Sequence, residues 1–180
     1  MHRTPNHVMV DLETMGTSNN AAIIAIGAVK FNKEKITDRF YKVVSLRSSV
    51  EAGLSIEADT VMWWMEQSDE ARRALLKPSQ PLRAVLIEFA TWLGENPVVW
   101  GNGSDFDNTI LSNAYKRCEL IAPWQYYNNR CFRTMRAMFP HIAFERPGTY
   151  HNALDDAENQ AKHLIKILNW AQDYGSTAEV

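Results

Sequence analysis

Val8-Met9-Val10-Asp11-Leu12-Glu13-Thr14 decides the fold. Three apolar residues, two of them β-branched, read as a fully buried strand, and such a strand ending in Asp-x-Glu is unusual. Strand side chains alternate, so Asp11 and Glu13 point to one face and Leu12 to the other. Two carboxylates on one side at the end of a core strand repel each other, and burial adds to the cost of ionising both. A divalent cation relieves both penalties. Oxygen-only ligands at this spacing favour Mg²⁺ or Mn²⁺ over zinc. The alternative is a strand that has simply reached solvent, where two acids are harmless, and further ligands elsewhere in the chain have to decide.

Working outward, Ala21 to Phe31 reads as a second strand with Gly27 as a bulge or a close approach, and Phe40 to Val44 as a third. Short polar turns join them into an antiparallel meander. Ser45 to Ile56 has no period and reads as a loop. From Glu57 the pattern is helical, with Asp59 or Thr60 as cap and Val61, Met62 and Met65 on one face. Trp63-Trp64 lies inside this helix. At least one indole belongs to the core, and one exposed beside a cleft would be a stacking platform. Helices follow over Ala71 to Leu76 and Leu82 to Leu93, then a short strand at Val98 to Trp100. A helix from about Ser104 to Cys118, an aromatic loop over 121–130, a short helix from Arg133 to Phe139 and a long one from about Asn152 to Tyr174 complete the chain. Strands first, then helices around another strand, predict an α/β protein with a mixed sheet.

The chain of 180 residues is expected to be one domain, 1–180, with Gly175 to Val180 a frayed tail. No apolar run approaches the roughly 20 residues of a membrane span, and Met1 to Asn6 lacks the apolar segment of a signal peptide. Cys118 and Cys131 are therefore expected as free thiols, and the cytoplasm as the location. A net charge of −2 excludes a molecule that attracts nucleic acid by its overall field, so a polyanion would need local basic groups or bound metal.

Further acids are available. Asp107 shares a helix face with Ile110 and Leu111, whereas Asp105 precedes the first turn as a cap or solvent contact. An inward acid at a helix opening calls for a partner, either a metal or the helix dipole. In the last helix, Asp155 and Asp156 flank the apolar stripe of Leu154, Ala157, Ala161 and Leu168 on opposite sides, and spacing does not choose between them. His151 stands before that helix, on a loop.

With these residues in place, the chain resembles the DnaQ-like DEDDh exonuclease superfamily. Asp11-Leu12-Glu13-Thr14, Phe106-Asp107 and His151 through Asp156 look like its three motifs, in order and over nearly the whole chain. The stretches Ala21 to Ala28, Trp63 to Ser68, Gly101 to Asn108 and Arg130 to Thr134 are similar to a small single-domain branch of phage-type exonucleases and a bacterial 3′–5′ exoribonuclease. The resemblance implies a ribonuclease H-like fold: a mixed five-stranded sheet, its first three strands antiparallel, flanked by helices. It implies Asp11, Glu13, Asp107 and Asp156 as ligands of two Mg²⁺ or Mn²⁺ ions, Asp156 rather than Asp155, with His151 as general base. Leu12, Thr14 and Met15 are implied to line the pocket of the last nucleotide, with Leu12 or Met15 packing on its base or else both belonging to the core. Asn102 inherits no role.

The implied activity is 3′–5′ exonucleolytic hydrolysis of single-stranded DNA or RNA, with nucleoside 5′-monophosphates as products and a nucleic acid with a free 3′ end as partner. Arg133 and Arg136 share a helix face and are read as a phosphate track or a solvated charged face. A membrane partner is not expected, and assembly is left open, with a homodimer as one alternative. The rival class is a catalytically silent nucleic-acid or protein-binding module on the same fold. It would have lost one of the five polar residues, and all five are present.

Overall fold

The computed structural model describes residues 6–103, 105–148 and 151–175. The expected helix start at Ser104 and the tail residues 176–180 lie outside these. Five strands form one mixed sheet in the order β3-β2-β1-β4-β5. The central strand β1 (Asn6–Thr14) pairs antiparallel with β2 (Ile23–Phe31), which pairs antiparallel with β3 (Ile36–Val43). On its other edge β1 runs parallel to β4 (Pro97–Gly101), and β4 parallel to β5 (Asn129–Cys131). The expected mixed sheet with an antiparallel start is the one observed.

Strand alternation sorts β1 into two cores. Val8, Val10 and Leu12 pack with Leu82, Val85, Leu86 and Phe89 of α4 (Leu82–Leu93) and with Ile110 and Leu111 of α5 (Asp107–Arg117). Met9 packs on the opposite side with Phe132 of α6 (Phe132–Met138) and with Ala157, Ala161 and Leu164 of α7 (Ala153–Gly175). Asp11 and Glu13 continue the Met9 row, so the pleat aims them at the start of α7. Gly27, opposite Asp11 in the β1–β2 register, makes that approach possible. A Cβ on Gly27 would lie 2.2 Å from the backbone carbon of Ala153. The close-approach reading of Gly27 holds.

Local expectations hold for the short helices Asp69–Leu75 and Phe132–Met138 and for β4, and fail at a few other short elements. A helix, Leu46–Glu51, forms inside the expected loop, capped by the Ser45 side chain, which accepts from the Ser48 N–H. Six residues are too few to show a period, and the serine cap was the available signal. The next helix, Ala58–Glu66, follows Glu57 and takes no side-chain cap from Asp59 or Thr60. Its inward residue is Trp64, while Met62 and Met65 are 59% and 63% exposed. The Trp64 indole fixes the orientation, because its Nε1–H donates to the Thr14 carbonyl at 2.9 Å. Asp69–Leu75 forms the short third helix. Strand β3 starts earlier than expected, at Ile36, and β5 emerges from the aromatic loop with three residues. Asn108 ties α5 to this edge, donating to the Val99 carbonyl at 2.9 Å and to the Asn129 side chain at 3.0 Å. Among the described residues no helix is long and apolar enough to cross a membrane, and Cys118 and Cys131 are free thiols.

Candidate active site

The site forms where β1 outruns its parallel neighbour. Pairing with β4 ends at Met9 opposite Trp100, so Leu12 has no strand partner on that edge. The Asp107 carboxylate takes the place of the missing strand: Oδ1 accepts from the Leu12 N–H at 3.1 Å and Oδ2 from the Asn102 N–H at 2.9 Å. Gly101 lets α5 begin this close, since a Cβ there would sit 2.5 Å from Asn108 Oδ1. Asn102, given no role by the resemblance, thus holds a site residue through its backbone.

Carboxylate oxygens of Asp11, Glu13 and Asp156 all lie within 4.8 Å of one another. Gln160, one turn beyond Asp156 on α7, donates from Nε2 to Asp11 Oδ1 at 2.7 Å. Asp156 is buried, and the Arg146 guanidinium engages both of its oxygens at 2.9 and 2.8 Å. Asp155 is not in the cluster.

The cluster is electrostatically overloaded. Burial, then the charges of Asp107, Glu13 and Asp156, push the Asp11 carboxyl well above the usual range. Glu13 is pushed up to about 8, by burial first and then by Asp156 and Asp107, with Arg146 opposing. Asp107 is pushed up to about 6 by burial, against the amide hydrogen bonds and the Arg133 charge that favour its anion. Among the described residues, Glu13 Oε1 is buried and has no hydrogen-bond partner. An orphaned buried oxygen, crowded carboxylates and an all-oxygen donor set fit a hard divalent cation such as Mg²⁺ or Mn²⁺.

These acids open into a cleft of about 560 Å³ whose walls include Leu12, Thr14, Trp63, Phe106, Arg146 and His151. His151 has a positive φ of 60° and lies edge-on to Trp63, ring centroids 4.7 Å apart, and to Trp64 at 6.4 Å. Burial lowers its pKa, Asp156 raises it and Arg146 lowers it, for a net shift downward. Of the two indoles, Trp64 is buried and Trp63 is 39% exposed on the cleft wall. The opposite lip is held by Glu57, whose carboxylate accepts from the Thr17 N–H at 2.9 Å and the Ser18 N–H at 3.0 Å; these bonds pull it down to about 2.

Met15 packs against the core, the second of the two alternatives for it. Its N–H bonds the Ala22 carbonyl, and its side chain packs into the core and lines a separate apolar groove with Val61, Trp64 and Leu75. The chain turns after Thr14, whose Oγ1 donates to the Gly16 carbonyl at 2.7 Å, and this carries Met15 away from the cleft. Leu12 is both core and cleft wall. Arg133 and Arg136 lie outside the cleft, in a groove with Ile142 and Phe144, and the Arg136 guanidinium lies 4.7 Å from the Phe144 ring centroid. Sequence reasoning missed Arg146 and Gln160. Gln160 was reachable, four residues after Asp156 on one helix face; Arg146 lies in an irregular segment that offers no period.

The fold has counterparts among solved nucleases. The nuclease domain of 3′hExo, a DEDDh family member bound to rAMP, matches with a TM-score of 0.62 at 16% identity, over 93% of this chain and 94% of that one. E. coli exonuclease I in complex with a dA16 oligonucleotide gives 0.64 at 14% identity, over 94% of this chain and 43% of that one. The fold class is therefore the ribonuclease H-like fold of these exonucleases. Residues 6–168 match the 3′-5′ exoribonuclease Rv2179c-like domain, and the chain belongs to that family. It is also similar to the exodeoxyribonuclease of Enterobacteria phage T4, 23% identical over 155 residues, 70% of this chain and 68% of the relative. A DNA polymerase III of PolC type from Listeria innocua is 26% identical over 93% of this chain, which spans 12% of that polymerase.

Proposed function

We propose that this chain, acting as a single domain, removes nucleotides one at a time from the 3′ end of single-stranded nucleic acid, releasing nucleoside 5′-monophosphates. RNA is the substrate class its family name carries, and DNA is the one named for the phage relative. The observation that carries the reading is the convergence of Asp11, Glu13 and Asp156 at the mouth of a cleft that also contains His151.

Asp11, Glu13, Asp107 and Asp156 would hold two Mg²⁺ or Mn²⁺ ions, which when bound would supply positive charge to the attacking and leaving oxygens of a phosphodiester. Burial lowers the His151 pKa and so favours the neutral imidazole, the form that accepts the proton of the attacking water. The water oxygen bonds to phosphorus as the bond from phosphorus to the 3′-oxygen breaks, and that oxygen takes a proton from solvent as the shortened strand departs. Leu12 and Thr14 bound the terminal nucleotide, and Trp63 offers an indole for stacking. The cleft volume lies within the range of small-ligand sites, which suits a terminal nucleotide rather than a duplex. Arg133 and Arg136 continue the path by binding backbone phosphates. The free thiols accord with a cytoplasmic setting. Exposed Met62, Met65 and Leu76 support a homodimer, which sedimentation would detect.

Digestion of a 5′-labelled single strand tests the polarity. Products should shorten stepwise from the 3′ end, and a circular strand should stay intact. Cleavage of the circle would contradict the proposal.

A further inference from the structure

Arg146 neutralises a carboxylate that the proposed reaction needs for a cation. Its fork spans both oxygens of Asp156 at 2.9 and 2.8 Å, the Asp156 side chain being 6% exposed and the Arg146 side chain 34%. Resting on the reading of Asp156 as a metal ligand, we propose that Arg146 is a placeholder: it holds Asp156 while the site lacks a cation and is displaced when the cation enters.

Three observations carry this. First, guanidinium stays charged at any working pH, so only movement of the side chain can remove it. A carboxylate has about four lone-pair directions, and a divalent ion on the remaining two would sit directly against that fixed positive charge. Second, the backbone around Arg146 is anchored while the side chain reaches into the open cleft. His163 Nε2 contacts the Ile142 carbonyl at 2.9 Å and Asn159 Nδ2 donates to the Pro147 carbonyl at 2.7 Å. Withdrawal of the fork would then be a side-chain movement on a fixed backbone. Third, Arg146 lines the same cleft as Asp11, Glu13 and Asp156, so its guanidinium shares the space that a cation on these acids would enter.

Calorimetric titration of the full chain with Mn²⁺ tests the proposal on wild type, Arg146→Gln and Arg133→Gln. Loss of a charge-assisted fork should tighten Mn²⁺ binding about tenfold in Arg146→Gln. Arg133 acts on Asp107 through its charge, so its loss reports the general field alone and should change affinity less than about twofold. In chelator, Arg146→Gln should melt below wild type, because Asp156 is left buried and unpaired, and added Mn²⁺ should recover the difference. Unchanged or weaker binding by Arg146→Gln, or an equal gain in Arg133→Gln, would overturn the placeholder while leaving the metal reading intact. Absence of Mn²⁺ binding in every variant would overturn both. Should Arg146→Gln not fold, Arg146→Lys keeps the charge without the fork; a gain of about threefold is then expected, and no gain would again overturn the proposal.

Discussion

At the residue scale, Glu13 is one of three buried acids, with Asp11 and Asp107, that tie the stability of the protein to pH. Its carboxyl is ordinary in the unfolded chain and is pushed up to about 8 in the folded one. The folded state therefore favours the protonated form. The stability this contributes is fully present below about pH 4.5 and is lost as pH rises through about 8. Melting of the metal-free protein between pH 5 and 9 should show this loss, and Glu13→Gln should flatten it. Comparing the two proteins cancels the histidines, whose lowered values in His7, His151 and His163 act in the opposite direction. Curves that stay parallel across this range would show that Glu13 is not strained. The same residues mark what was legible in sequence. Asp-x-Glu on one strand face could be read because the strand period is two. Asp156 could not be separated from Asp155 by spacing, because both flank the apolar stripe and only the packing of α7 on Gly27 decides which one turns inward.

At the element scale, the site depends on how closely α7 approaches β2. Gly27 is the point of closest approach, and a methyl group there would meet backbone atoms at 2.2 to 2.4 Å, with no flexible side chain to yield. Gly27→Ala should destabilise the fold by about 3 kcal/mol, the upper end for overpacking. It should also lower activity beyond the loss of folded protein, because the start of α7 carries Asp156. Denaturant titration and single-turnover cleavage measure the two effects, and a variant with normal stability would contradict the packing described here. Long elements were readable, and so were the short helices Asp69–Leu75 and Phe132–Met138 and the strand Pro97–Gly101, whereas the helix Leu46–Glu51 and the strand β5 were not. The helix Leu82–Leu93 has its expected bounds, since twelve residues display a period. The two-turn helix at Ala58–Glu66 turned its other face inward because one indole hydrogen bond outweighs two exposed methionines. The three-residue strand β5 is defined by its pairing to β4, which leaves no trace in local pattern.

At the scale of the whole molecule, a chain with net charge −2 must grip a polyanion locally. Arg133 and Arg136 share one groove outside the catalytic cleft. Each single-strand phosphate that the protein no longer neutralises should reduce the log–log salt slope of binding by about 0.7, so the double alanine variant should show a slope lower by about 1.4. Cleavage of a dinucleotide, which reaches the cleft alone, should be nearly spared; an equally severe defect there would place these arginines in the active site or the core. The acidic cluster itself is tested most directly by metal removal and return. Chelator-stripped wild type should release no mononucleotides from a single strand, and Mg²⁺ or Mn²⁺ should restore the release. Asp155→Asn should be restored almost as well, while Asp156→Asn should stay down by more than about a hundredfold, beyond the usual cost of an outer-sphere partner. Full activity in chelator, or equal loss at positions 155 and 156, would contradict a cation held by Asp11, Glu13 and Asp156.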